Sequence, residues 1–166
     1  MGRRVHFRPL EGLVRPYDRP MTTDDRSDAG SVLHPEARAL LESDALAHLV
    51  TLNPDGSPQV TCIWVGLDGE EIVSGHLPRH RKLDNVERDP RVTLSVEGTG
   101  SSGPLHHYLV VHGRGRVQEG GAPQLLRRLA AVYLGPDAKF PPMDDPPPGY
   151  VLRITPVRTS GVGPWA

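Results

Sequence analysis

Four consecutive side chains that are or can become cationic, Arg79, His80, Arg81 and Lys82, follow directly after an apparent strand. Such a cluster can bind an anion through charge-assisted hydrogen bonds, which are stronger than neutral ones. The chain carries 19 Lys and Arg against 20 Asp and Glu, so the cluster is not part of a general basic character. Attraction to nucleic acid or to a membrane surface is therefore not favoured, whereas a local anion site is compatible with the composition.

The position of the cluster favours a phosphate as the anion. The segment RHRKLDNVERDP predicts a short helix that opens at Pro78, and the free N–H groups and dipole of a helix N-terminus attract anions. On that helix Arg79 and Lys82 would share the face that carries the buried stripe. The preceding strand would bring the Ser74 hydroxyl and the uncovered backbone of Gly75 to the same place. These residues predict a phosphate site for a small molecule, and the alternative is a solvated basic helix end.

Other residues that could do chemistry give weaker signals. The eight histidines include no HExxH spacing, and no Cys-x-x-Cys occurs, so no metal site is predicted. In the segment QVTCIWV, Cys62 is expected to be a small core residue rather than a nucleophile. Ser101 and Ser102 lie outside a G-x-S-x-G motif, and GRGRV lacks the strand-to-helix context of a phosphate loop. No catalytic residue is therefore assigned.

The elements that would position the cluster belong to a mainly β protein. Pro-Asp-Gly between two runs rich in β-branched residues predicts a hairpin closed by Gly56, and a second turn at LDGEE leads into a third strand. These tight turns predict an antiparallel meander. About six strands with two or three short helices indicate a small antiparallel barrel. The helices are predicted in HPEARALLES, RHRKLDNVERDP and APQLLRRLAAVYLG, and the later strands in RVTLSVEG, HHYLVVHGRGRVQE and YVLRITPVRTSGV.

The length of 166 residues suits one domain, which we place at 34–166. Residues 1–33 have no sustained apolar period and are predicted to be a disordered extension, within which Met21 is a hypothetical natural start. The single cysteine fits a reducing compartment. No apolar run approaches the roughly 20 residues that span a membrane, and the Arg-rich N-terminus lacks a secretory apolar region. A soluble, cytoplasmic protein is expected.

Three segments carry a family resemblance: TLNPDGSPQVT, RKLDNVERDPRVTLSV and GRGRV. The chain resembles the split β-barrel flavin and deazaflavin oxidoreductases, which are relatives of pyridoxamine 5′-phosphate oxidase. The similarity runs from about Leu40 through Val117 and resumes in YVLRITPVRTSGVGPW. Within this superfamily the chain looks most like the branch that uses coenzyme F420, a deazaflavin. The resemblance implies a homodimer with cofactor at the subunit interface, and hydride transfer from reduced deazaflavin to an unsaturated or oxidised small molecule.

The resemblance also assigns cofactor contacts. In such enzymes a lysine three residues before the helix asparagine contacts the cofactor phosphate, which here is Lys82 before Asn85. Two residues before that lysine the family often has arginine, but this sequence has His80, with Arg79 and Arg81 on either side. Which arginine binds the phosphate is therefore left open.

The second strand is expected to line the cofactor ring. Side chains alternate across a strand, so Gln59, Thr61 and Ile63 share one face. This polar row with an apolar end suits a ring that bears carbonyls, and solvent-facing polar residues are the alternative. Trp64, on the other face, is expected in the core. Trp165, in GVGPWA, is predicted to lie over the ring or against a partner subunit, or else on the surface.

Three functions remain open at this point. The first is a coenzyme F420-dependent oxidoreductase, and the second is an FMN-dependent oxidase or reductase on the same fold. The third is a non-catalytic barrel that binds a flavin or haem. In hydride transfer the cofactor itself performs the chemistry, which explains why the sequence shows no recognisable set of catalytic residues. The substrate and the proton donor are not predicted.

Overall fold

The computed structural model describes residues 31–166; residues 1–30, and with them most of the predicted extension and the hypothetical start at Met21, lie outside the described residues. Leu33, which the prediction placed in the extension, is 2% exposed and belongs to the core. No helix in 31–166 is long and apolar enough to cross a membrane. The elements in chain order are α1 (Pro35–Leu41), β1 (Ala47–Leu52), β2 (Pro58–Ile63), β3 (Gly66–Asp68), β4 (Glu71–His76), α2 (Arg81–Arg88), β5 (Arg91–Ser102), β6 (Leu105–Glu119), α3 (Ala122–Tyr133) and β7 (Tyr150–Val162).

The predicted hairpin between β1 and β2 is confirmed in its turn chemistry. Gly56 takes a φ of 81°, which glycine adopts without steric cost. The Asn53 N–H donates to the Ser57 carbonyl at 2.8 Å, and the Asp55 carboxylate accepts from the Ser57 hydroxyl at 2.6 Å. These contacts fix the antiparallel register in which Thr51 lies opposite Gln59.

The seven strands form one antiparallel sheet in the order β2-β1-β5-β6-β7-β4-β3. The predicted meander is therefore wrong at its third strand, IVSG, because this strand is β4 and pairs with β3 and β7 rather than with β2. Only Trp64 and Val65 separate β2 from β3. Three Cα–Cα steps span at most about 11 Å, so the two edges of the sheet must come together. The sheet is thus curled into a barrel, as predicted. It has seven strands, where the sequence predicted about six.

The hairpin of β5 and β6 is longer than the sequence indicated. The segment GTGSSGP was expected to be a turn, but β5 continues through it to Ser102, and only Gly103 and Pro104 form the turn. The pairing changes register between Glu97 and Ser101, which marks a bulge. Within this stretch glycine is needed at Gly100, because a Cβ there would meet His107 Nδ1 at 2.4 Å.

Helix α2 is held on the barrel by a close approach to β6. A Cβ at Gly115 would meet Val86 Cγ1 at 2.8 Å, so glycine is needed where the helix crosses the strand. The Gly115 N–H also donates to the Pro90 carbonyl at 2.7 Å, just past the helix end. Leu83 and Val86 are fully buried against the barrel, as their spacing predicted. GRGRV therefore serves packing and fixes where the cationic cluster lies.

The link between β2 and β3 is held by the Tyr133 hydroxyl at the end of α3. It accepts from the Val65 N–H at 3.0 Å and lies 3.2 Å from the carbonyl oxygens of both Ala45 and Val65. Trp64 was expected in the core, but it is half-buried outside it, stacked on the Tyr133 ring at 5.2 Å and edge-on to Phe140 at 5.1 Å. This contact ties the point of barrel closure to α3.

Replacing Tyr133 with phenylalanine tests this closure. The ring and its stacking on Trp64 are kept, while the buried Val65 N–H loses its acceptor. An unsatisfied buried donor typically costs ~1–3 kcal/mol, so we expect the free energy of unfolding to fall by about that amount in urea denaturation. Tyr108→Phe is the matched control, because Tyr108 is exposed. Equal stability of Tyr133→Phe and wild type would contradict the role of this hydroxyl.

Candidate functional site

A cavity opens where the barrel is split. Strand β3 pairs with β4 only from Glu71 to Val73, so the remaining half of β4, from Ser74 to His76, is paired on one side by β7 alone. Facing this free edge are the end of β2 and the start of α2. The cavity between them has a volume of about 390 Å³, within the range of small-molecule sites. Its lining residues are Leu46, Cys62, Ile63, Trp64, Ser74, Gly75, His76, Lys82, Leu126 and Phe140.

Lys82 lies in this cavity as a buried cation. It is 8% exposed, and burial lowers the pKa of its ammonium group. No carboxylate forms an ion pair with Lys82 in the described part of the chain, and no hydrogen bond to it is formed there. A buried charge without a partner is costly, so this position suits a group that gains an anionic ligand. The structure brings Lys82 together with Ser74 and Gly75, as predicted.

The N-terminus of α2 lies later in the chain than predicted. The helix does not open at Pro78 but at Arg81, because His80 is still extended, with φ −105° and ψ 155°. His80 is the N-cap residue and its side chain makes no capping hydrogen bond. The first N–H groups of a helix have no intrahelical partner, so this end can bind an anion beside Lys82.

Arg79 and Arg81 differ in their availability. Arg79 was expected to share a helix face with Lys82, but it precedes the helix and reaches forward to it: its Nε donates to Asp84 at 2.6 Å and its Nη2 to Glu87. These carboxylates raise the pKa of Arg79, which also lies 5.4 Å from the Tyr150 ring. Arg81 is exposed and forms no ion pair with another residue of 31–166. Of the two arginines, Arg81 is the one free to meet an incoming anion.

His76 is a cavity residue that the sequence prediction missed. It is 7% exposed, and its Nε2 is buried without a hydrogen-bond partner. Burial, the Lys82 charge and His80 lower the pKa of the imidazole to about 3, so the ring is neutral at pH 7. Strand alternation could have identified His76 from the sequence, because it lies two positions after Ser74 and therefore on the same face of β4.

The predicted row on β2 faces inward, while its neighbours face out. Ile63 is buried and lines the cavity, and Gln59 and Thr61 are half-buried. The Oγ1 of Thr61 is buried without a partner, and Thr61 does not line the cavity. Cys62 was expected in the core, but the outward face of this edge strand leaves it exposed at the cavity rim.

Gln59 belongs to a hydrogen-bonded network beneath the cavity. Its Oε1 accepts from Asn85 Nδ2 at 2.9 Å and from the Thr51 hydroxyl at 3.2 Å. Asn85 Nδ2 also lies 3.2 Å from Asn53 Oδ1, and Asn85 Oδ1 accepts from Arg88 at 3.1 Å. The network links α2 to β1 and β2, so Asn85 positions the helix that carries Lys82.

Gly75 serves packing as well as the cavity. A Cβ at this position would meet Leu126 Cγ at 2.9 Å, so the space that a side chain would fill is occupied by α3. The absence of a side chain was expected to uncover backbone for a phosphate, and Gly75 lines the cavity. The absence of a side chain also lets α3 lie against β4.

Trp165 lies outside the cavity within one chain. Its Nε1 donates to the Tyr108 carbonyl at 3.0 Å, and its ring lies 6.1 Å from the His107 ring and against Gly98. None of these residues lines the cavity. Within residues 31–166 no group of three or more His, Cys, Asp or Glu could hold a metal ion.

Residues 33–163 match the family model described as pyridoxamine 5′-phosphate oxidase. The chain belongs to this family. The split barrel described above is the fold of this family. The matched range includes every residue that lines the cavity. The comparisons support a flavin-type oxidoreductase, without deciding which cofactor is used.

Solved structures share the fold. An F420 reductase is 28% identical, with a TM-score of 0.62, over 74% of this chain and 94% of that chain. A conserved hypothetical protein from Mycobacterium tuberculosis is 26% identical, with a TM-score of 0.61, over 82% and 89%. An FAD-binding protein from Mesorhizobium loti, at 20% identity and a TM-score of 0.55 over 78% and 94%, shows the fold alone. No curated protein gives a significant match.

The neutral state of His76 predicts how stability depends on pH. Between pH 6.5, the ordinary pKa of histidine, and about 3, the unfolded chain binds a proton at this residue and the folded chain does not. The folded state therefore loses stability as pH falls through this range, by up to about 1.4 kcal/mol per pH unit from this group.

Urea denaturation between pH 7 and pH 4 measures this effect. His76→Asn is expected to flatten the pH dependence, whereas His80→Asn, which changes an exposed histidine beside it, should alter it much less. Parallel pH profiles for wild type and His76→Asn would show that His76 is not held neutral by the fold.

Proposed function

We propose that this protein is a coenzyme F420-dependent oxidoreductase that binds the deazaflavin in the split of the barrel. The observation that carries the proposal is Lys82, a buried lysine without a counter-charge in the described residues, beside an uncapped helix N-terminus. When bound, the cofactor supplies hydride transfer to or from an unsaturated or oxidised small molecule.

The residues around the cavity fit such a cofactor. Lys82, Arg81 and the first N–H groups of α2 would hold its phosphate, with the Ser74 hydroxyl beside them. Ile63 would offer the ring an apolar surface, and the unpartnered Thr61 hydroxyl lies on the same face of β2. The chain's own contribution is to bind, orient and exclude water.

The choice of coenzyme F420 over FMN is supported by likeness. The F420 reductase exceeds the FAD-binding protein in both identity and TM-score. A phosphate site suits either cofactor, so FMN is the competing ligand in the test. Purified apo-protein is titrated side by side with coenzyme F420 and FMN, followed by fluorescence. Tighter binding of coenzyme F420 supports the proposal, and preference for FMN contradicts it.

We also propose a homodimer whose interface covers the cavity. The outward face of β2 exposes Val60 at 58% and Cys62, and Leu46 at the cavity rim is 49% exposed. Apolar side chains beside an open cavity favour burial by a second copy. In that arrangement a partner subunit could bring its Trp165 segment to the ring. Light scattering of the purified protein gives the mass: a dimer is expected, and a monomer with full cofactor affinity would contradict it.

Lys82→Ala is expected to weaken coenzyme F420 binding at least tenfold. A hydrogen bond to a charged group contributes ~1.5–3 kcal/mol, and ~1.4 kcal/mol corresponds to tenfold in affinity. The control is Arg79→Ala, which removes a neighbouring cation already paired with Asp84 and Glu87 and should weaken binding less. Equal losses in the two variants would mean that binding responds to overall charge rather than to Lys82.

A further inference from the structure

His76 and Lys82 are two buried basic groups that line the same cavity. His76 comes from the free half of β4 and Lys82 from the first turn of α2, and both line the same space. They are more than nine-tenths buried. The Nε2 of His76 has no partner, and no carboxylate of the described residues is paired with either group. No carboxylate of residues 31–166 lines this cavity to balance the two basic groups.

The other charged and titratable groups near His76 do not supply a carboxylate. From α2 it faces His80, whose ring lies 6.1 Å away, and Lys82. On β7 its register partner is Tyr150, and the Cys62 thiol lies at the cavity rim. Arg79, which stacks on Tyr150, is already paired with carboxylates on α2. None of these groups is a carboxylate.

We propose that His76 is the proton-accepting ligand of this anion site, so that binding of a phosphate group is accompanied by uptake of a proton at the imidazole. Without an anion, burial and the Lys82 charge keep the ring neutral. An anion between the two groups reverses the sign of the local potential and favours the protonated ring. Protonated His76 then donates through both ring nitrogens, including the Nε2 that is otherwise without a partner. The inference rests on the proposed function only in expecting a phosphate-bearing ligand.

The consequence is an affinity that depends on pH in a defined direction. A proton taken up on binding makes affinity rise as pH falls, by up to about tenfold per pH unit. This rise is confined to the pH range between two pKa values of His76. One is its pKa with an anion bound, and the other is its pKa of about 3 without an anion. The deazaflavin or flavin would therefore be held more tightly at mildly acidic pH.

Sulfate is the first probe, because it remains a dianion throughout the range tested. Its affinity for the full-length protein is measured by calorimetry between pH 8 and pH 5, in two buffers of different ionisation enthalpy, which gives the number of protons taken up. We expect saturable binding, a rising affinity as pH falls, and proton uptake. Binding without proton uptake, or no saturable binding, would overturn the inference.

Two variants assign the proton to His76. His76→Asn keeps a neutral hydrogen-bonding side chain and should abolish both the proton uptake and the pH dependence. His80→Asn removes the neighbouring histidine and should reduce both much less than His76→Asn does. The reverse pattern would place the proton on His80. If His76→Asn does not fold, NMR of the wild-type imidazole resonances in sulfate and in chloride provides the test. We expect His76 to titrate between pH 5 and 8 in sulfate, where the site is occupied, and not in chloride.

The same calorimetry with coenzyme F420 and FMN separates the inference from the proposed function. If neither cofactor binds while sulfate binds with proton uptake at His76, the proposed function fails and the inference stands. If coenzyme F420 binds without proton uptake in wild-type protein, the inference fails and the proposed function stands.

Discussion

The short connection between β2 and β3 is the constraint on which the rest of this structure depends. Two residues join strands that lie at opposite edges of a seven-stranded sheet, so the sheet has to curl until its edges meet. Since β3 is only three residues long, the edges meet over half of β4 and leave the other half open. Chain closure thus leaves one side of the cavity open, and Lys82 of α2, Leu126 of α3 and Phe140 complete its lining.

Closure also places a few polar side chains among the mainly apolar residues that line the cavity. Ile63, Leu126 and Phe140 are among its apolar members, and Ser74, His76 and Lys82 are its polar ones. Helix α2 lies across β6 because Gly115 admits Val86, and this fixes Lys82 at the open half. A lysine and a histidine are therefore buried in one cavity. Burial lowers the pKa of both groups, the Lys82 charge lowers that of His76 further, and a bound anion would oppose both effects.

Much of this arrangement follows from local sequence, and the rest depends on long-range packing. The β1–β2 hairpin and α2 are encoded in turn residues and helical spacing, so the sequence predicts them well. The pairing of β3 is not predictable in this way, because a strand of three residues has almost no pattern of its own. Cys62 was misplaced for a related reason: burial of a β-branched strand depends on which face and which edge it occupies, and β2 lies at an edge.

The candidate site shows the same division. Lys82, Ser74 and a phosphate as their ligand were predicted from the order of residues along the chain, and the resemblance added the deazaflavin cofactor. Arg79 was predicted as a ligand because its charge is visible in sequence, whereas its partners Asp84 and Glu87 act only once α2 has formed. His76 was missed because its burial and its neutral state come from the fold around it and not from its neighbours in the chain.

The central claim is that the split of the barrel, and no other surface, holds the cofactor. Mapping of backbone amide resonances during titration of isotopically labelled protein with coenzyme F420 tests it most directly. The account predicts that the largest changes fall at 59–63, 74–76 and 80–83, the segments that border the cavity. Changes confined to the β5–β6 hairpin and Trp165, with those three segments unperturbed, would contradict it.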